Sequence, residues 1–182
     1  MYFFKNLTRR RVELIVRGAS FVVLLMILLL TGCPRPLPTA NLNGEWRDNY
    51  GSIFTINTSA KTIKYMVDAS HTNYEGQIVN WSDFTAANGV LIIKFTKYYT
   101  ITYGGAPDYA MTIQETPAKN GKFGALYWRD LTSISVYLAD AYDSSYNHVM
   151  YDTLNSAQTN FTMDKVSNYI DWSITSSYTK TE

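Results

Sequence analysis

Between Leu42 and about Ala139, apolar residues fall at every second position within short segments, and this period of two restricts the chain to β-strands. Phe54 and Ile56 share one face, as do Ile63, Tyr65 and Val67; Leu91, Ile93 and Phe95; Tyr109, Met111 and Ile113; and Ile134, Val136 and Leu138. The opposite faces carry Thr55, Lys64, Lys94, Thr112 and Ser135. One apolar and one solvated side per segment is the antiparallel pattern, and helical crossovers are missing. Asn49-Tyr50-Gly51, Asn57-Thr58-Ser59-Ala60, Asn88-Gly89, Gly104-Gly105-Ala106-Pro107-Asp108 and Lys119-Asn120-Gly121 supply turn residues between the segments. About eight or nine strands are expected, near 42–48, 51–57, 61–67, 74–81, 89–97, 98–103, 109–115, 122–130 and 133–139. So many strands in one small domain must protect their edges, which closure into an antiparallel up-and-down barrel, or folding into two sheets, achieves.

The pattern changes after Asp140. Residues 140–152 are polar and tyrosine-bearing and read as a loop. Thr153 is placed to cap a helix in which Leu154, Ala157 and Phe161 follow helical spacing, and Thr162 to cap a further turn or two presenting Val166, Tyr169 and Ile170. A helix near 153–170 would pack on the barrel wall or plug one end. Trp172 and Ile174 would add a last strand or cover apolar surface.

Charge is divided unevenly. The first 32 residues hold five basic side chains and one acid, leaving 11 basic and 14 acidic residues from Cys33 onward, a balance of −3. A folded part with no basic field offers nothing to a phosphate backbone, so nucleic acid is excluded as a partner. Tyrosine is abundant at 15 residues, beside 8 phenylalanines and 4 tryptophans, and aromatic side chains suit half-buried strands. Cys33 is the one cysteine, so stability rests on packing without an internal disulfide.

Residues 5–17 are basic, and Ala19 to Leu30 form an uncharged apolar run of about a dozen residues, the length of a signal-peptide core and short of the roughly 20 that span a bilayer. Thr8-Arg9-Arg10 has twin-arginine character, but Glu13 and the strongly apolar run fit the general secretory route better. Leu30-Thr31-Gly32-Cys33 resembles the lipobox of bacterial lipoproteins. The resemblance implies that residues 1–32 are a lipoprotein signal peptide, a signal helix cut after Gly32, and that Cys33 is lipidated, with the membrane as its first partner. Two or more acyl chains hold far better than a single myristoyl group, because each buried methylene contributes about 0.8 kcal/mol. Pro34, Pro36 and Pro38 then stiffen residues 33–41 into a short stalk, and the barrel domain occupies 42–182.

Gly44-Glu45-Trp46 resembles the Gly-x-Trp opening of lipocalin-like barrels, in which the tryptophan closes one end beneath an arginine from a late strand. That resemblance gives Trp46 a structural role and implies Arg129, or else Arg47, as its partner; a core tryptophan on a first strand is the plainer alternative. Trp46-Arg47-Asp48 recurs as Trp128-Arg129-Asp130 with different flanks. Taken together, the lipobox, proline stalk, tyrosine-rich strands and late helix resemble the small β-barrel lipoproteins of spirochaete envelopes, which implies a cell-envelope location, the outer membrane favoured over the inner.

Signals for chemistry are few. Asp140, Asp143, His148 and Asp152 cluster in sequence, but at a spacing that fits a solvated loop better than a metal site, and no cofactor is expected. No serine sits in a Gly-x-Ser-x-Gly turn and no glycine-rich phosphate loop precedes a helix. An enzyme would need His71 or His148 to meet a carboxylate in a cleft. Tyrosines of the late strands, Tyr103, Tyr109, Tyr127 and Tyr137 foremost, offer contact area with a hydrogen-bonding tip, either to grip a small hydrophobic ligand, sugar or envelope protein or to pack across strands. The expected function is a non-catalytic, membrane-anchored binding module; the alternatives are an envelope assembly protein without a ligand cavity and, third, a hydrolase.

Overall fold

The computed structural model describes residues 39–105 and 110–181. The expected signal segment, Cys33 and the three stalk prolines lie outside the described residues, and so does Tyr109.

Among the described residues nine strands are formed: β1 Gly44–Arg47, β2 Ile53–Asn57, β3 Thr62–Asp68, β4 His71–Trp81, β5 Gly89–Tyr103, β6 Met111–Glu115, β7 Phe123–Arg129, β8 Ser135–Asp140 and β9 Ser177–Thr181. Eight of them close an antiparallel barrel in the order β1-β2-β3-β4-β5-β7-β8-β9, with β9 returning to β1 through Glu45↔Thr181, Trp46↔Lys180 and Arg47↔Thr179. The ninth, β6, pairs with the far half of β5 as a two-stranded ribbon, Tyr99↔Glu115 to Tyr103↔Met111.

Two expectations need correction. Residues 89–103 are one strand, not two. Opposite β4, Glu75 pairs with Lys97 and Gly76 with Phe95, so Thr96 is bulged and the side-chain alternation slips by one residue, burying both Phe95 and Tyr98. A strand with a bulge reads as two because its phase changes in the middle. Of the two alternatives for Trp172 and Ile174, the strand is not formed, the last strand being 177–181, whereas Trp172 covers apolar surface on the outer face of the barrel as the other alternative has it.

Inward residues from all eight wall strands fill most of the interior: Trp46, Phe54, Ile63, Tyr74, Leu91, Phe95, Leu126, Trp128, Val136, Leu138 and Tyr178 belong to one cluster. One end is closed by tryptophan. The Trp46 indole N–H donates to the Leu42 carbonyl at 2.8 Å, and that of Trp128 to the Ala86 carbonyl at 3.0 Å. Gly89 lies flat against the Trp128 ring, leaving no room for a Cβ. The glycine of Asn88-Gly89 thus serves close approach at the start of β5.

A second cluster covers the outside of β5 and β7, whose outward residues Ile92, Ala125 and Tyr127 are apolar as well. Helix α1, Leu154–Asn160, lies there, started by Thr153, whose hydroxyl accepts from the Ser156 N–H at 3.2 Å. Ala157 and Phe161 from the helix, and Ile170 after the 3-10 turn Met163–Asn168, are buried against the wall. Burying a side chain such as Phe161 contributes about 1.5–3 kcal/mol. The helical segment therefore covers the wall and does not plug the lumen.

Arg129 does not sit on Trp46. With Trp128 pointing inward, strand alternation sends Arg129 outward, where its guanidinium lies 4.9 Å from the ring centres of both Tyr137 and Trp172. Arg47 is also outside, paired with Glu45 at 2.9 Å. The cation over Trp46 is Lys180 of β9, 5.1 Å from the ring centre.

Candidate ligand-binding site

The end of the barrel opposite the two indole–carbonyl bonds is formed by the turns between β1 and β2 and between β3 and β4, and by the long connection from β8 to β9. This connection opens with a hairpin. The Asp143 carboxylate accepts from the N–H groups of Ser145 at 2.8 Å and Asn147 at 2.9 Å, and Tyr146 adopts a left-handed φ of 59°. A bridge between Tyr142 and His148 completes it and turns His148 back toward the barrel. Further on, Asp171 fastens a second turn by accepting from the Ser173 N–H at 2.9 Å and hydroxyl at 2.6 Å.

Between these turns lies an open cleft of about 460 Å³. Phe54, Tyr65 and Tyr178 from the barrel wall line its floor; Tyr142, Asp143 and Tyr146 line one side, and Tyr169, Asp171 and Ile174 another. The floor is rigid: Phe54 stacks on Tyr65 with centroids 4.4 Å apart and meets Tyr178 edge-on at 5.2 Å. The rim is exposed, Tyr146 at 74% and Ile174 at 65%. Burial, reinforced by the Asp140 charge, pushes the Tyr65 hydroxyl up to about 12, and burial likewise raises Tyr142 and Tyr178. All three stay protonated donors at neutral pH.

Asp140, the last inward residue of β8, also borders the cleft. Beneath it runs a buried chain of polar groups. Tyr74 donates its hydroxyl to Asp140 Oδ1 at 2.7 Å, His148 Nε2 lies 3.2 Å from Asp140 Oδ2, and the Tyr98 hydroxyl lies 2.6 Å from His148 Nδ1. The tautomer that carries its hydrogen on Nε2 satisfies both contacts, with Tyr98 donating to Nδ1. His148 thus meets a carboxylate as an enzyme would require, but each ring nitrogen is occupied by a buried partner, and the imidazole is packed at the edges of Tyr74 and Tyr98. Such a satisfied network holds a structure together and leaves no free base for a substrate. His71 lies elsewhere, paired with Asp68 at 2.7 Å across the β3–β4 turn.

Of the other residues singled out in the sequence, Asp143 borders the cleft and the rest of those described lie elsewhere. Asp143 is engaged by its own loop and Asp152 pairs with Lys122 at 2.9 Å, so the four-residue cluster is split. Among the described residues no group of three or more His, Cys, Asp and Glu is placed to hold a metal ion. Tyr103 is on the projecting ribbon, 64% exposed. Tyr127 points outward from β7 and is buried beneath the helical layer, with its hydroxyl unpaired. Tyr137 points outward from β8 against Arg129. Of the four foremost tyrosines, the three described are therefore dispersed by strand alternation and by departure of the ribbon, whereas Tyr142 and Tyr146 of the tyrosine-bearing loop after Asp140 line the cleft. The cleft takes its rings from Phe54, Tyr65, Tyr142, Tyr146, Tyr169 and Tyr178, and what joins those of the wall is barrel closure, which places β9 beside β1 and brings Tyr178 to Phe54 of β2. Set beside known proteins, the chain matches no family model, no curated protein and no solved structure.

Proposed function

We propose that this protein is a lipid-anchored binding module of a bacterial envelope that receives a small ligand in the cleft at the open end of its barrel. The cleft carries the reading. Its volume lies in the range of small-molecule sites, about 300–1,000 Å³, and its aromatic floor with a few polar groups is the usual composition of such sites. The anchor is supported by Leu30-Thr31-Gly32-Cys33 after an apolar run, by Cys33 being the sole cysteine, and by the three prolines that follow. A closed barrel with tryptophans at one end and access at the other agrees with the lipocalin-like likeness of Gly44-Glu45-Trp46. The assembly-protein alternative draws on the packed lumen below the cleft.

The test has two arms. Acyl labelling of the wild type and of Cys33→Ala should mark only the former; equal labelling removes the anchor. Native mass spectrometry of the full protein released from membranes should find a small molecule bound. Tyr142→Ala should lose it while Tyr103→Ala keeps it. A ligand-free protein whose membrane partners are unaffected by either substitution would favour the assembly role.

A further inference from the structure

The cleft is one-sided in charge. Asp140, Asp143 and Asp171 border it, whereas no lysine, arginine or histidine is among the described residues lining it. Among the described residues neither Asp143 nor Asp171 belongs to an ion pair; each is engaged by uncharged donors of its own turn. These donors hold both carboxyls below the usual carboxylate range, Asp143 chiefly through the Asn147 N–H and Asp171 chiefly through the Ser173 hydroxyl, so both are negative throughout the neutral range. A concave surface lined by one sign of charge concentrates the opposite sign. The same cleft is lined by six aromatic residues, Phe54, Tyr65, Tyr142, Tyr146, Tyr169 and Tyr178, and aromatic faces attract cations. Carboxylates would repel an anionic amphiphile, and a neutral ligand would leave their charge uncompensated.

We propose, building on the binding-module reading, that the occupant is an organic ammonium ion, its alkylated nitrogen held by the cleft's aromatic rings and its charge offset by Asp143 and Asp171. Such a group arrives as a free solute or as the headgroup of a lipid, and the chemistry that recognises it is the same.

Calorimetric titration of the full, lipidated protein in non-ionic detergent tests this with four soluble probes: choline; 3,3-dimethylbutan-1-ol, its uncharged isostere with carbon in place of nitrogen; decanoate; and maltose. Choline should bind at least about tenfold tighter than the isostere, a difference of about 1.4 kcal/mol. Asp143→Asn and Asp171→Asn each retain the side-chain oxygen that accepts from the turn while removing the charge. Each should weaken choline about 3- to 10-fold and leave the isostere unchanged. Dihexanoyl phosphatidylcholine binding tighter than choline would identify a lipid headgroup as the source, and weaker binding a free solute; both outcomes keep the ammonium. Equal binding of choline and its isostere, or binding of decanoate or maltose without choline, overturns the ammonium and leaves the binding module standing. If none of the probes binds, both readings fall.

Discussion

Tyr74 on β4 and Asp140 at the end of β8, 66 residues apart and on strands that are not neighbours in the wall, meet inside the barrel through a 2.7 Å hydroxyl–carboxylate hydrogen bond. Both are nearly inaccessible, at 0% and 4%. A contact of this kind braces the lumen directly beneath the cleft, and with His148 and Tyr98 it determines where the loop after β8 can lie.

Tyr74→Phe removes this bond without changing the packed ring. A hydrogen bond to a charged acceptor contributes about 1.5–3 kcal/mol, so urea unfolding should show a loss of that size with an unchanged m-value. Tyr98→Phe should cost less, since its acceptor is an imidazole nitrogen. If the four groups act as one network, the double variant should differ from the sum of the singles by about 0.5 kcal/mol or more; strict additivity would show two independent bonds.

Gly89→Ala probes the closed end. The added methyl would overlap the six-membered ring of Trp128, which is itself fixed by its hydrogen bond to Ala86. Overpacking a filled core costs about 1–3 kcal/mol, and here the indole must tilt away from the Ala86 carbonyl. The expected result is a lower melting temperature with a shift of tryptophan emission. Gly105→Ala, where a Cβ meets nothing within 4 Å, should leave both unchanged.

The contrast between these two sites bears on what could be read in advance. Alternation revealed the strands because their inner faces meet the core and many of their outer faces meet water: Phe54 and Ile56 are buried, and Thr55 between them is exposed. The same rule gave no sign of β9, where Ser177-Tyr178-Thr179-Lys180-Thr181 has a single large apolar residue. That strand is held by β1 and β8 on either side, a long-range condition that no local window contains. The cleft was hidden for the same reason. Tyr142 and Tyr146 were among the abundant late tyrosines, but Phe54, Tyr65 and Tyr178 join them only once the barrel closes. Thr153, by contrast, acts through its own next three residues, and its helix start was plain.

Arg129 offers a third test, on the outer wall. Its guanidinium lies between Tyr137 and Trp172, whereas its Nε is buried without a hydrogen-bond partner, 3.6 Å from Asp130. Lysine keeps the charge but cannot stack as a plane, so Arg129→Lys should cost roughly 0.5–1 kcal/mol and loosen Trp172. Acrylamide quenching should rise in that variant. Unchanged quenching and stability would mean that the stack contributes nothing.

Alkali should unfold this protein through its tyrosines. Burial, aided by Asp140, raises Tyr65 to about 12 and pushes Tyr74, Tyr98, Tyr142 and Tyr178 upward as well, compared with about 10 in the unfolded chain. With folded-state values above the unfolded ones, the native state holds its protons while the unfolded chain releases them. The stabilisation is complete below pH 10 and declines as pH rises toward the folded values, by up to about 1.4 kcal/mol per pH unit for each such group. Melting temperature should therefore show no tyrosine-linked decline up to about pH 9 and fall steeply from pH 10. Tyrosinate absorbance from the buried set should rise at equilibrium only together with loss of β-structure. A single smooth titration near pH 10 with the barrel intact would show that these hydroxyls are open to water.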